Sequence, residues 1–147
     1  MRVRIKKLSE KAIIPTYGTD YAAGADLYAC LENTVSIENG KTEMIGTGVA
    51  LEIPEGYVGL VYARSGLSCK KGLAPANKVG VIDSDYRGEI KVALHNHNIS
   101  GDAIPVENGE RIAQIVIAPY IKADFELTED LEETDRGEKG FGSTGSH

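Results

Sequence analysis

Two carboxylates two positions apart, followed by an aromatic and a guanidinium, stand where an apolar strand runs out: Gly80-Val81-Ile82-Asp83-Ser84-Asp85-Tyr86-Arg87-Gly88-Glu89. If the strand continued regularly past Ile82, Asp83 and Asp85 would point to one side. At such a mouth one carboxylate can hold a metal or take a proton from water while the aromatic forms a wall. The same residues also read as an acidic, solvated hairpin, and an Asp-x-Asp pair alone does not choose between the two.

Ala63-Arg64-Ser65-Gly66 offers a cation, a hydroxyl and backbone N–H groups at an expected helix start. That combination suits an anion. It equally suits a plain helix cap, with Ser65 capping and Arg64 in solvent. Ala23-Gly24-Ala25-Asp26-Leu27-Tyr28 sets one carboxylate among small residues before a strand, and Gly109-Glu110-Arg111-Ile112-Ala113-Gln114 reads as a turn entering a strand, with Gln114 facing solvent or a ligand. No Gly-x-x-x-x-Gly-Lys-Ser/Thr run is present, which leaves the phosphate loop of the common ATPases and GTPases without support. His95, His97 and His147 do not make a zinc set; His95 and His97 read as solvated residues at a strand end.

The elements that position these residues are short. Apolar alternation broken by turn residues predicts strands at Arg2 to Lys6, Ala25 to Ala29, Thr34 to Ile37, Val49 to Ile53 and Val58 to Ala63. It predicts others at Lys78 to Ile82, Glu89 to His95, Ala103 to Val106 and Arg111 to Ala118. Glu38-Asn39-Gly40, Pro54-Glu55-Gly56 and Glu107-Asn108-Gly109 supply turns. Ser65 to Gly72 is the one helical candidate in the body, with Gly72 near its C-cap. About ten short strands with glycine-rich connections indicate an all-β barrel or jelly-roll sandwich.

The chain has 147 residues, which fits one domain at roughly 150 residues per domain. Hydrophobic residues at 41% and charged residues at 26% describe a globular protein, and 17 glycines without a G-X-Y period point to tight turns. A formal charge of -6 removes the general attraction for a nucleic-acid backbone, although a local basic pocket is compatible with it. No run reaches the roughly 20 apolar residues that span a bilayer. Two cysteines, Cys30 and Cys69, match no metal spacing and suggest a reducing compartment. With no secretory signal in MRVRIKKLSE, the expectation is a soluble cytoplasmic protein.

From Glu126 the chain is strongly charged and cannot form its own core. It ends in Phe141-Gly142-Ser143-Thr144-Gly145-Ser146-His147, preceded by Arg136 and Lys139. Those residues suit a frayed tail or a mobile flap over a phosphate ligand.

In combination and order, these segments resemble the dUTPase family, the trimeric all-β deoxyuridine triphosphate nucleotidohydrolases. The five family motifs are Ala23 to Tyr28, Arg64-Ser65-Gly66-Leu67, Gly80 to Glu89, Gly109 to Gln114, and Arg136 to Gly145. The resemblance covers nearly the whole chain and makes the tail an active-site lid. It implies an all-β, jelly-roll-like distorted barrel of the β-clip type over residues 1–127, with one short helix and a mobile C-terminal arm over 128–147. It also implies a homotrimer whose three sites are shared between subunits. The Tyr86 hairpin would come from one subunit, the Arg64 and Gln114 segments from another and the arm from the third.

The implied reaction is Mg2+-dependent hydrolysis of dUTP to dUMP and pyrophosphate, which limits uracil incorporation into DNA and supplies dUMP for thymidylate synthesis. Asp83 resembles the group that deprotonates the water attacking the α-phosphorus. By the same resemblance Asp26 holds a water on a Mg2+ that the triphosphate binds. Arg64, Ser65, Gly66 and Gln114 contact phosphate oxygens, and Arg136, Gly142, Ser143 and Thr144 clamp the triphosphate as Phe141 stacks on uracil. Backbone from Asn77 to Val81, including Gly80, reads the uracil edge, and Tyr86 lies under the deoxyribose. No direct nucleic-acid or membrane partner is implied. Lys139 departs from a variable position of the last motif, and strand alternation would turn Lys78 away from Asn77 and Val79. Two rival readings are a dCTP deaminase of the same superfamily and a noncatalytic nucleotide-binding regulator on the same scaffold.

Overall fold

The structure, a computed structural model, describes residues 1–138 and 140. In chain order the elements are β1 (Arg4–Lys7), β2 (Thr16–Tyr17), β3 (Ala25–Tyr28), β4 (Val35–Ile37), β5 (Thr42–Gly46), β6 (Val49–Glu52) and β7 (Tyr57–Tyr62). Then come α1 (Ser65–Lys71), β8 (Leu73–Pro75), β9 (Val79–Ile82), β10 (Lys91–Asn96), β11 (Ile104–Val106) and β12 (Arg111–Pro119). The all-β, jelly-roll-like class with one short helix is thus the observed one. Every strand pairing is antiparallel.

Five strands form the sheet that carries the site, in the order β2-β3-β12-β7-β9, and β5-β10-β8 form the facing layer. The ribbons β1-β6 and β11-β4 complete the wall. Alternation is plain in β10, where Val92, Leu94 and Asn96 are buried and Lys91, Ala93 and His95 look outward. The core between layers is aliphatic: Leu27, Ile37, Ile45, Leu73, Ile90, Leu94 and Ile112 have at most 1% of their surface exposed. Each contributes about 1.5–3 kcal/mol by leaving water. Asn96, buried among them, donates to the Ile37 carbonyl at 2.9 Å and so satisfies its amide.

Several expected boundaries move. The first strand runs from Arg4 to Lys7, not from Arg2, because its register is set by pairing with Val49–Glu52. Lys78 lies outside β9: it takes a left-handed φ of 64° in the turn after Pro75, so strand alternation does not govern where its side chain points. The helix is capped by Arg64 backbone with no side-chain cap bond, which removes Ser65 from the capping role. Gly72 closes it at φ 72°, where a residue with a Cβ would be strained. Among the described residues regular structure ends at Pro119, and Ile121, Phe125 and Leu127 in the following segment are almost fully exposed. No helix among the described residues is long and apolar enough to cross a membrane.

Candidate active site

A polar cluster forms where β3, β12 and the exit of β7 meet. Asp26 on β3 stands opposite Gln114 on β12, and Gln114 stands opposite Tyr62 on β7. Two residues past Tyr62, Arg64 donates from Nε to Asp26 Oδ1 at 2.6 Å. Arg111 donates from Nη1 to the other oxygen, Oδ2, at 3.3 Å. Asp26 is buried, so these two guanidinium contacts offset the cost of desolvating its carboxylate. Gln114 Nε2 donates to the Ala63 carbonyl at 2.8 Å and ties β12 to the start of the helical segment. Arg64 is therefore an anchored group, not a solvated one.

Arg111 reaches this carboxylate because β12 carries a bulge. Arg111 pairs with Tyr28 and Ala113 with Leu27, so Ile112 is an extra residue on its strand. In a regular, unbulged pairing of the same sequence, positions 111 and 114, three apart, would face opposite sides of the sheet. Sequence alternation alone gives Arg111 no role; the available signal was the adjacent apolar pair Ile112-Ala113, both buried. Arg64, Gly66, Lys71 and Arg111 line one cavity with a single acid, Glu110, which Lys71 holds at 2.8 Å. Counting the Asp26 carboxylate that Arg64 and Arg111 share, three cations meet two acids here, a local positive excess on a chain of net charge -6.

The second group lies along β9 and the loop after it. Val79 N–H bonds to the Asn77 carbonyl at 2.7 Å, and Gly80 packs under Val61 and Asn77. Asp83 follows the last residue of β9 in a turn closed by Tyr86 N–H to Asp83 O at 3.2 Å. The strand does not continue, so Asp83 and Asp85 do not share a strand face. Arg87 Nη1 donates to the Ser84 and Tyr86 carbonyls, holding the turn from outside. Tyr86 Oη donates to the Glu89 carbonyl at 3.0 Å and its ring covers Gly88, where a Cβ would overlap it. Glu89 in turn accepts the Gly48 N–H at 2.9 Å, pinning the loop to the β5–β6 connection. Asp83 is exposed and lines two adjoining cavities, one with Met44, Val81 and Tyr86, the other with Glu52, Glu55 and Arg87.

Asp26, Arg64, Ser65, Gly66 and Gln114 thus share one neighbourhood, while Asn77, Gly80, Val81, Asp83 and Tyr86 occupy another. Asp26, Gln114, Tyr62 and Val79 fall on one register line across four strands, and Asp83 lies four positions further along. At about 4.8 Å between strands and 3.3 Å per residue, the two carboxylates are on the order of 20 Å apart. Arg136 is exposed in the C-terminal segment. Phe141, Gly142, Ser143 and Thr144, like Lys139 and His147, lie outside the described residues.

Among the described residues no group of three or more His, Cys, Asp or Glu is arranged to hold a metal. Asp26 is the carboxylate best placed near the cations, and each of its oxygens keeps a further lone pair after accepting from arginine. His97 is exposed, as the solvated reading expects, and His95 is half-buried; their rings meet edge to face with centroids 4.5 Å apart. Desolvation, then the charges of His95 and Lys78, hold the His97 pKa below its ordinary 6.5.

The dUTPase family profile matches residues 10–145. The deoxyuridine 5'-triphosphate nucleotidohydrolase of Nautilia profundicola is 50% identical over 145 residues, covering 99% of both chains. That of Desulfitobacterium hafniense is 52% identical over 133 residues, 90% of this chain and 87% of its own. The solved G164S mutant of the Staphylococcus bacteriophage 80alpha dUTPase with dUpNHpp superposes with a TM-score of 0.85 at 32% identity, covering 98% of each chain.

Proposed function

The chain belongs to the dUTPase family and is a hydrolase of nucleotide metabolism, and from that premise we propose that it hydrolyses dUTP to dUMP and pyrophosphate at a site shared between subunits. The observation that carries this reading is the pairing of a cation-lined anion pocket with a separate, carboxylate-bearing loop on one small scaffold.

Arg64, Arg111 and the first-turn amides of Ser65 and Gly66, which have no intrahelical partner, are the donors for phosphate oxygens. Gln114, fixed by its bond to Ala63, presents its remaining carbonyl and N–H capacity beside them. Asp83 takes the proton of the attacking water as the new bond forms to the α-phosphorus; the bond to the bridging oxygen breaks and pyrophosphate leaves. Its exposure suits a base that must reach solvent water. Backbone groups from Asn77 to Val81 read the uracil edge, where a thymine methyl has no space and a cytosine amino group presents a donor instead of an acceptor. Tyr86, braced by Glu89 O and Gly88, forms the sugar wall that a 2'-hydroxyl would strike.

Mg2+ fits this donor set indirectly. It dehydrates reluctantly and is usually held by one or two carboxylates plus substrate phosphates, in keeping with a single nearby Asp26 whose remaining lone pairs can hold a metal-bound water. When bound, the ion supplies neutralisation of triphosphate charge.

The separation of the two residue groups within one chain supports a site completed across a homotrimer interface. The C-terminal arm, from about residue 128, would bring Arg136, Phe141, Gly142, Ser143 and Thr144 over the nucleotide of a neighbouring pair. A soluble protein of the cytoplasm would suit this role. Product analysis of the purified protein with Mg2+ and dUTP, in parallel with dCTP, dTTP and UTP, tests the proposal. Selective dUMP and pyrophosphate is the expected result; ammonia from dCTP, or binding without turnover, would replace it.

A further inference from the structure

We infer that Lys71 is a further ligand for the polyphosphate of the nucleotide, and that Glu110, its counter-ion, positions it and sets how strongly the pocket holds phosphate. The inference rests on the reading that the triphosphate enters the cavity lined by Arg64, Gly66, Leu67, Lys71, Glu110 and Arg111. Arg64, Leu67 and Lys71 stand at i, i+3 and i+7, so they share one face of the helical segment. Leu67 is buried, which turns that face toward the body of the protein. A guanidinium and an ammonium therefore rise from its two ends, about 10 Å apart along the axis by the rise of a helix, over one cavity.

The two acids at this cavity act differently. Asp26 is shared by Arg64 and Arg111. Glu110 is fixed without Lys71: its Oε2 accepts the Glu107 N–H at 3.3 Å, its own N–H donates to the Glu107 carbonyl at 3.1 Å, and its carbonyl accepts the Ala29 N–H at 2.8 Å. Its other oxygen, Oε1, accepts from Lys71 Nζ at 2.8 Å. Lys71 is rooted by its carbonyl, which accepts from Asn98 Nδ2 at 2.9 Å, yet its side chain is 49% exposed and has Glu110 as its one partner among the described residues. An ammonium carries three donors, and Glu110 takes one. Two remain for phosphate oxygens. The same carboxylate repels an incoming anion, so Glu110 aims Lys71 and at the same time weakens the pocket.

The test is calorimetric titration of the nucleotide-free, Mg2+-free protein with inorganic tripolyphosphate. Lys71→Met should weaken binding about five- to tenfold and flatten its salt dependence, while Lys71→Arg keeps most of the affinity. Glu110→Gln leaves an acceptor for Lys71 but removes the charge, and should tighten binding several-fold. Lys70→Met removes the same charge from the neighbouring residue, which does not line the cavity, and should change affinity by less than about twofold. An unchanged Tm would show that the variants fold. No tripolyphosphate binding by the parent, an equal loss from Lys70→Met, or weaker binding in Glu110→Gln would overturn the assignment. Turnover of dUTP by the parent is scored apart: Lys71-dependent binding without turnover would sink the substrate reading and leave this one standing, and Lys71-independent binding beside normal turnover would do the reverse.

Discussion

Arg111 reaches the Asp26 carboxylate only because Ile112 is an extra residue in its strand. Two arginines consequently share one buried acid, but unequally. Arg64 is the shorter and more buried partner, at 2.6 Å with 24% of its side chain exposed, against 3.3 Å and 53% for Arg111. Arg64→Ala should cost about 1–3 kcal/mol of stability and Arg111→Ala well under 1, with both raising KM for the nucleotide. Urea unfolding of the two variants decides it; equal losses would contradict the ranking.

Gly24 tolerates no side chain. A Cβ there would sit 2.6 Å from Gln114 Oε1 and 3.3 Å from Gln114 Cβ, so the glutamine must swing off its bond to the Ala63 carbonyl. Gly24→Ala is expected to lower kcat/KM at least tenfold with a small fall in Tm. The Gly24→Ala, Gln114→Ala double variant should be no worse than Gln114→Ala alone, and additive losses would show that the glycine acts elsewhere.

Asp83→Asn should retain nucleotide binding and lose about 100- to 10,000-fold in turnover, the range for a positioned general base. Equilibrium binding of a nonhydrolysable dUTP analogue separates the two effects. Turnover within a few-fold of the parent would move the base to another group.

Removing the chain from Arg136 onward should cripple hydrolysis without lowering Tm, since among the described residues regular structure ends at Pro119 and residues 120–138 are exposed. Full activity in the truncated protein would end the lid proposal.

Glu52 has its carboxyl held below the ordinary 4.5, chiefly by the hydrogen bond from Arg4. A carboxylate depressed in the folded state stabilises above its unfolded pKa and loses that contribution as pH falls through the folded value. Below about pH 4.5, therefore, the β1–β6 ribbon should fray before the sheet interior does, as read by amide exchange, and Arg4→Ala should bring the Glu52 midpoint back toward 4.5. The pair is exposed, so high salt should blunt the difference.

Long alternating segments could be read directly: Val92, Leu94 and Asn96 or Val58 to Tyr62 declare their faces. Thr42–Gly46 could not, because Thr42, Glu43 and Met44 are all exposed and only Ile45 is buried. It is a strand because β10 offers it a ladder, which is tertiary context rather than propensity. Similarly, Lys78 sits where glycine or asparagine would be the usual signal, so the turn was hidden inside an expected strand. The motif residues themselves were legible; that Asp26 and Asp83 lie so far apart in one chain follows from strand order, which periodicity does not encode.

The central strand of the five-stranded sheet, β12, is also the last one to be synthesised. While a ribosome is still adding residues 83–110, β3 and β7 are already made, yet neither has β12 beside it, and each presents one unpaired edge. The ion pair between Arg111 and Asp26 closes a loop of 85 residues, so the pocket forms only when the chain is nearly complete. A message truncated before codon 111 would yield a chain that aggregates rather than a smaller folded one, and folding during translation here amounts to waiting for a single late strand.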